Sequence, residues 1–103
     1  MTAYAVVDVE IFDIADYLKY QQAVRPLLEA AGARYLVRGG EFQVIEGDYL
    51  PQRIIIVEFP SMDTLMDFYN SEPYQALEDQ RKSCSRATLI AVRGIETGSS
   101  TRG

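Results

Sequence analysis

Residues 46–61, EGDYLPQRIIIVEFPS, hold an unbroken β-branched run, Ile54-Ile55-Ile56-Val57, between two sets of turn residues. Such a run suits a strand that buries side chains on both faces of a sheet. Gly47, Asp48 and Pro51 break the chain before it, and Pro60-Ser61 stops it and opens a helix. The stretch therefore predicts a strand in the middle of a small sheet, with the remaining elements packed around it.

Upstream, residues 3–11 alternate strictly. Ala3, Ala5, Val7, Val9 and Ile11 fall on one face, Tyr4, Val6, Asp8 and Glu10 on the other, as in a strand with one apolar and one mixed face. Asp13 stands where a helix N-cap belongs, with Asp16 three residues on. Tyr17, Leu18, Val24, Leu27, Leu28 and Ala31 then recur at helical spacing. Pro26 lacks an N–H and crowds the preceding turn, so a kink or restart is expected near Arg25, and Gly32 supplies a stop. Residues 33–46 contain two strand-like pieces, ARYLVR and FQVIE, joined by Gly39-Gly40. The two glycines make either a tight hairpin turn or a bulge within one long strand. The bulge is the expectation adopted, because FQVIE then pairs with Ile54–Phe59 across residues 47–52.

Downstream, Ser61 caps a short helix marked by Leu65, Met66, Phe68 and Tyr69. Asn70-Ser71-Glu72-Pro73 interrupts it, and Ser71 with Pro73 starts a second helix carrying Tyr74, Leu77 and Arg81 to about Cys84. Residues 86–93, RATLIAVR, read as the last strand. Residues 1–95 are expected to form a single domain, and the polar tail 96–103, ETGSSTRG, is expected to be disordered.

The chain has 103 residues and 11.6 kDa, enough for one modest core. No apolar run approaches the ~18 residues of a membrane span. The start, MTAYAVVDVE, reads as a strand and not as a targeting segment. A lone cysteine, Cys84, fits a reducing compartment, and a cytoplasmic location is expected. Ten basic residues scattered among fifteen acidic ones, net charge -5, argue against nucleic acid, which needs clustered cations. Histidine is absent, which removes the commonest metal ligand and the usual general base near neutral pH. Chemistry is left to carboxylates, tyrosines, arginines, Lys19, Lys82 or Cys84, and no metal or nucleotide cofactor is expected.

The element order is strand, helix, two strands, broken helix, strand. Right-handed crossovers place both helical segments of such a βαββαβ chain on one face of an antiparallel sheet, the ferredoxin-like α+β plan. Ile54 and Ile56 lie on one face of the central strand and Ile55, Val57 and Phe59 on the other. The last strand sets Leu89 opposite Ile90 and Val92, so the helix-free face carries Ile54, Ile56, Ile90 and Val92 or their neighbours. That face is too apolar to leave in water, so a homodimer packed sheet against sheet is expected.

YLVRGG (35–40), EGDYLPQR (46–53), VEFPS (57–61), FYNSEPYQAL (68–77) and the later Arg81 resemble the domain-of-unknown-function 1330 family. The likeness runs from the first strand to Val92, with Tyr49 and Phe68 where relatives often carry Trp. The family in turn resembles the dimeric α/β-barrel superfamily. The resemblance implies ferredoxin-like protomers paired into a barrel through their sheets, with a cleft between sheet and helices. That superfamily includes cofactor-independent monooxygenases, isomerases, dehalogenating and decarboxylating enzymes, and proteins with no known activity, so membership alone does not fix a function.

Five residues are candidates. Arg38, beside the double glycine, either holds a ligand's acidic group or forms an ion pair with Glu46 or Glu58. Glu58, ending an apolar strand, moves protons as a desolvated carboxylate, is neutralised by Arg53 or Arg38, or lies at the sheet rim in water. Tyr17, Tyr69 and Tyr74 either line a pocket for a small acidic or aromatic molecule or form plain core. Arg81 and Lys82 are accounted for by the helix dipole, and Cys84 reads as a small part-buried residue. Two functions follow: a small-molecule enzyme or binding protein working in the cleft, or a non-catalytic dimeric module in which the same groups make structural bonds.

Overall fold

The computed structural model describes residues 1–95, in the order β1 (Ala3–Ile11), α1 (Ile14–Ala30), β2 (Arg34–Arg38), β3 (Ile54–Phe59), α2 (Met62–Asn70), α3 (Glu72–Cys84) and β4 (Ser85–Arg93). The β-branched run is β3, and it is internal as its composition demands. The sheet is antiparallel with strand order β2-β3-β1-β4. It is an open α+β sheet whose edges are β2 and β4. The tail expected at 96–103 lies outside the described residues.

Period-two alternation sorts the strands' side chains. Ala3, Ala5, Val7 and Val9 of β1 and Ile55, Val57 and Phe59 of β3 are all buried, and they share one cluster with buried residues of the three helices. The opposite face has no helix over it. There Val6 sits between Ile56 and Ile90 in register, and Tyr4 lies beside Val92. Ile90 is 60% exposed and Val92 44%.

The helix boundaries follow their caps. Asp13 accepts from the Asp16 N–H, Ser61 from Thr64 and Ser71 from Tyr74, so each first turn has one orphan donor satisfied by a side chain. Ser71 closes α2 and opens α3 at once, which bends the two helices apart within a single residue. Contrary to the expected restart near Arg25, α1 runs unbroken through Pro26. It ends where Gly32, at φ +75°, donates to the Glu29 carbonyl while Ala33 donates to that of Leu28. This pair of bonds is a Schellman stop, and it needs the left-handed residue that glycine provides.

The 39–53 region differs most from expectation. FQVIE forms no strand, and neither reading of Gly39-Gly40 holds. The sheet leaves off at Arg38, and the bulge falls earlier, between Tyr35 and Val37. Gly39 turns the chain away at φ +72°, and a Cβ there would overlap the Arg53 guanidinium. With no strand facing it, the alternating pattern of FQVIE leaves Phe42, Val44 and Ile45 exposed, Ile45 almost completely. The loop's far end is tied to the helix-free face by Asp8. Its carboxylate accepts from the Tyr49 hydroxyl at 2.5 Å and from the N–H groups of Gln52 and Arg53 at 2.9 and 3.2 Å.

Candidate functional site

Helix α3 shows its buried stripe in the spacing 74, 77, 81, 84. Tyr74 and Cys84 are buried and Leu77 packs against the core. Position 81 on the same stripe is an arginine, only 7% exposed. Helix α1 turns Tyr17 and Tyr20 towards it, one helical turn apart with ring centroids at 5.6 Å. Helix α2 contributes Tyr69, which meets Tyr74 edge-on at 4.8 Å. From the sheet comes Tyr35 on β2. These side chains enclose a cavity of about 40 Å³ between sheet and helices, floored by Val7, Val9, Ile55 and Val57. A buried water needs on the order of 10–15 Å³ measured the same way, so the chamber admits a group a few heavy atoms in size.

A second, larger concavity lies beside the chamber. A groove of about 500 Å³ between β4 and helices α2 and α3 shares Tyr69, Tyr74, Arg81 and Leu89 with it. The two volumes therefore have these four residues as a common wall, Arg81 among them. Glu78 stands at this junction, its Oε2 4.0 Å from Arg81 Nη2 and its Oε1 3.8 Å from Lys82 Nζ.

The electrostatics are those of a cation among phenols. Burial opposes the charge of Arg81, but Tyr74, Tyr20 and Glu78 around it outweigh that and raise its pKa. Its Nε is buried with no hydrogen-bond partner among the described residues. A buried donor left unpaired costs about 1–3 kcal/mol, so a cost attaches to this one atom although the neighbours of Arg81 favour its charge. Burial pushes the Tyr17 hydroxyl up to about 12, and it likewise raises those of Tyr20, Tyr69 and Tyr35. Tyr20 donates to Tyr74 Oη at 3.3 Å. At neutral pH the Tyr17, Tyr20, Tyr69 and Tyr35 phenols are protonated. They offer hydrogen bonds to an oxygen anion and are poor proton acceptors. Burial also raises the Cys84 thiol, whose Sγ lies 3.2 Å from the Gln80 carbonyl, so it is no ready nucleophile.

Three of the five candidates, Tyr17, Tyr69 and Tyr74, come together in the chamber. The other two do not join them. Arg38 is exposed at the end of β2, its guanidinium 5.0 Å from the centroid of the Tyr35 ring, and Glu46 and Glu58 are not its partners. Glu58 lies on the helix-free face opposite Tyr4, and its Oε1 is 2.7 Å from Arg34 Nε. Neither Arg53 nor Arg38 supplies that partner. Tyr20, one turn beyond Tyr17, and Arg81 also line the chamber and were not among the five candidates. The helix dipole was a sufficient reason for a cation late in α3, but the 74-77-81-84 spacing already placed this one on the inward stripe.

A four-stranded antiparallel sheet with helices over one face, enclosing a lined cavity, is an arrangement shared with other families. Residues 2–95 match the model of the Domain of unknown function (DUF1330), and the chain belongs to that family. No curated protein matches it. Among solved structures it is similar to the RPA0582 protein of unknown function from Rhodopseudomonas palustris, with TM-score 0.75 and 16% identity over 92% of this chain and 83% of that one. It is also similar to a dimeric ferredoxin-like protein of unknown function from Jannaschia sp. CCS1, with TM-score 0.67 and 10% identity over 91% and 100% of the two chains. SnoaB, a cofactor-independent oxygenase from Streptomyces nogalater, aligns with TM-score 0.54 and 9% identity over 93% of each chain. At these identities the likeness establishes a ferredoxin-like fold and nothing of the chemistry. No helix among the described residues is long and apolar enough to cross a membrane.

Proposed function

We propose that this protein binds a small organic acid in the chamber between sheet and helices, as a homodimer. The observation that carries the reading is Arg81: a guanidinium 7% exposed, with an unpaired Nε, facing a cavity ringed by tyrosine hydroxyls. A buried donor without a partner is kept at a cost, and an anionic ligand supplies the missing bond. Arg81 takes the role expected of Arg38, with Tyr17, Tyr69 and Tyr74 donating around it. Glu58, on the far face and paired with Arg34, has no proton to move there. A chamber of protonated phenols and one cation stabilises an anion but lacks a base, so binding, or polarising a bound carbonyl or enolate, is the chemistry it supports.

The dimer rests on the helix-free face. Val6, Ile54, Ile56, Ile90 and Val92 form an apolar band, with the Arg34–Glu58 pair on one side and the Arg86–Glu10 pair, at 3.0 Å, on the other. An apolar centre with a charged rim is the anatomy of a protein interface. The similarity to a structure described as dimeric agrees with it. Two open sheets meeting on this face would form a barrel.

A second reading has one observation in its favour. The enclosed chamber is only about 40 Å³, as in a dimeric module that binds nothing. Titration of the protein with benzoate, followed by amide chemical shifts, separates the two. The binding reading expects saturable shifts centred on Tyr17, Tyr69, Tyr74 and Arg81, and none with uncharged benzamide. Shifts absent from those positions, or equal for both compounds, favour the module.

A further inference from the structure

We infer that the acid is an amphiphilic monocarboxylate, its head against Arg81 and its apolar tail in the groove between β4 and helices α2 and α3. This rests on the anion-binding reading of the chamber and adds to it the class of ligand. Size sets the first constraint. The chamber takes a carboxylate but little more, whereas the groove, which Arg81 also lines, has about 500 Å³, within the range of small-molecule sites. A ligand that reaches the guanidinium from outside must leave the rest of itself in the groove.

Groove chemistry then selects that remainder. Its walls away from Arg81 are mainly apolar: Met66, Leu89 and Ala91 are accessible there over the buried Leu65, with Asn70 and Gln75 as the polar part of the lining. Met66 is 46% exposed there, an unbranched thioether that adapts to irregular apolar partners. Covering these side chains with hydrocarbon removes apolar surface from water on both molecules. Charge sets the number of acidic groups. Arg81 is the one cation among the described lining residues, and Glu78 at the junction repels a second carboxylate. A monoacid fits this pattern and a diacid does not.

The test is an NMR titration at neutral pH with butyrate, hexanoate, octanoate, 1-octanol and succinate. The expected result is an affinity that rises towards about fourfold for each added methylene, the value of full burial. Octanoate should bind at least tenfold tighter than 1-octanol, and succinate no tighter than butyrate. Met66→Asp, a change at a half-exposed helix position, should weaken octanoate at least tenfold and leave butyrate within about twofold. If octanoate binds no tighter than butyrate, the tail assignment is overturned while the anion site stands. Octanol matching octanoate, or succinate exceeding butyrate, overturns the monoacid head. If no acid shifts the chamber residues, the binding reading itself fails and takes this inference with it. The chain-length series uses the unaltered protein, so it decides the matter even if the variant does not fold.

Discussion

At the scale of single residues, charged groups divide by what answers them. Glu58 is answered by Arg34 at 2.7 Å, but Arg34's side chain is 72% exposed. Exposed pairs contribute roughly 0–1 kcal/mol, so Glu58→Gln should cost no more than that in denaturant unfolding and leave acid binding unchanged. A larger loss of binding would return Glu58 to the site. Asp8 is answered by three donors from the 39–53 loop, the Tyr49 hydroxyl foremost; with the Gln52 and Arg53 N–H groups these outweigh burial and lower its pKa from 3.8. A depressed carboxylate pKa favours the charged form in the folded state. Its contribution is complete above the unfolded value and is lost as pH falls from near 3.8 through the lower folded pKa. The stability gap between wild type and Asp8→Asn should therefore be constant at neutral pH and close on acidification through that window. The Gln52 and Arg53 amides should exchange faster in the variant. A gap that does not change with pH would mean the carboxylate's charge is irrelevant to the latch.

At the scale of elements, most of the fold is legible because local signals agree with one another. Period two in residues 3–11, caps at Asp13, Ser61 and Ser71, and the Ile54–Val57 run all name their elements and their faces. The failures have physical causes. FQVIE alternates like a strand, yet pairing needs a facing backbone, and the chain has already left the sheet at Gly39; propensity without a partner makes no strand. Pro26 is exposed on α1 and inside a 17-residue helix, so the packing of Tyr17, Tyr20, Val24 and Leu28 overrides one lost backbone bond. That override carries a cost. Pro26→Ala restores the N–H without disturbing the core and should stabilise the protein by about 1–3 kcal/mol; an unchanged or lower unfolding midpoint would show that the helix had adapted fully. The chamber was half legible. Tyr17, Tyr69 and Tyr74 fall on inward stripes by spacing alone. A cation's burial, by contrast, depends on neighbours from three elements, and Arg34's claim on Glu58 depends on strand register.

At the scale of the whole molecule, the sheet has a helical side that holds the chamber and a bare side that is apolar. The bare side predicts association. Sedimentation should give a dimer at micromolar concentration, and Ile90→Lys, at a position 60% exposed in the protomer, should shift it towards monomer with the protomer still folded. A monomeric wild type would remove the interface. The helical side carries the central claim, that Arg81 is kept to hold an acid and not to hold the fold. Arg81→Met keeps the side chain's length and apolar stem and removes the unpaired Nε together with the contacts to Tyr74, Tyr20 and Glu78, so the unliganded variant should stay folded and close to wild type in stability. Thermal unfolding with and without octanoate tests the claim directly. At a hundredfold excess over Kd the ligand adds about 2.7 kcal/mol to the protein that binds it, a midpoint rise on the order of 10 °C for a chain of this size. That rise is expected in wild type and none in Arg81→Met; an equal rise in both, or a variant that melts far below wild type without ligand, would contradict the claim.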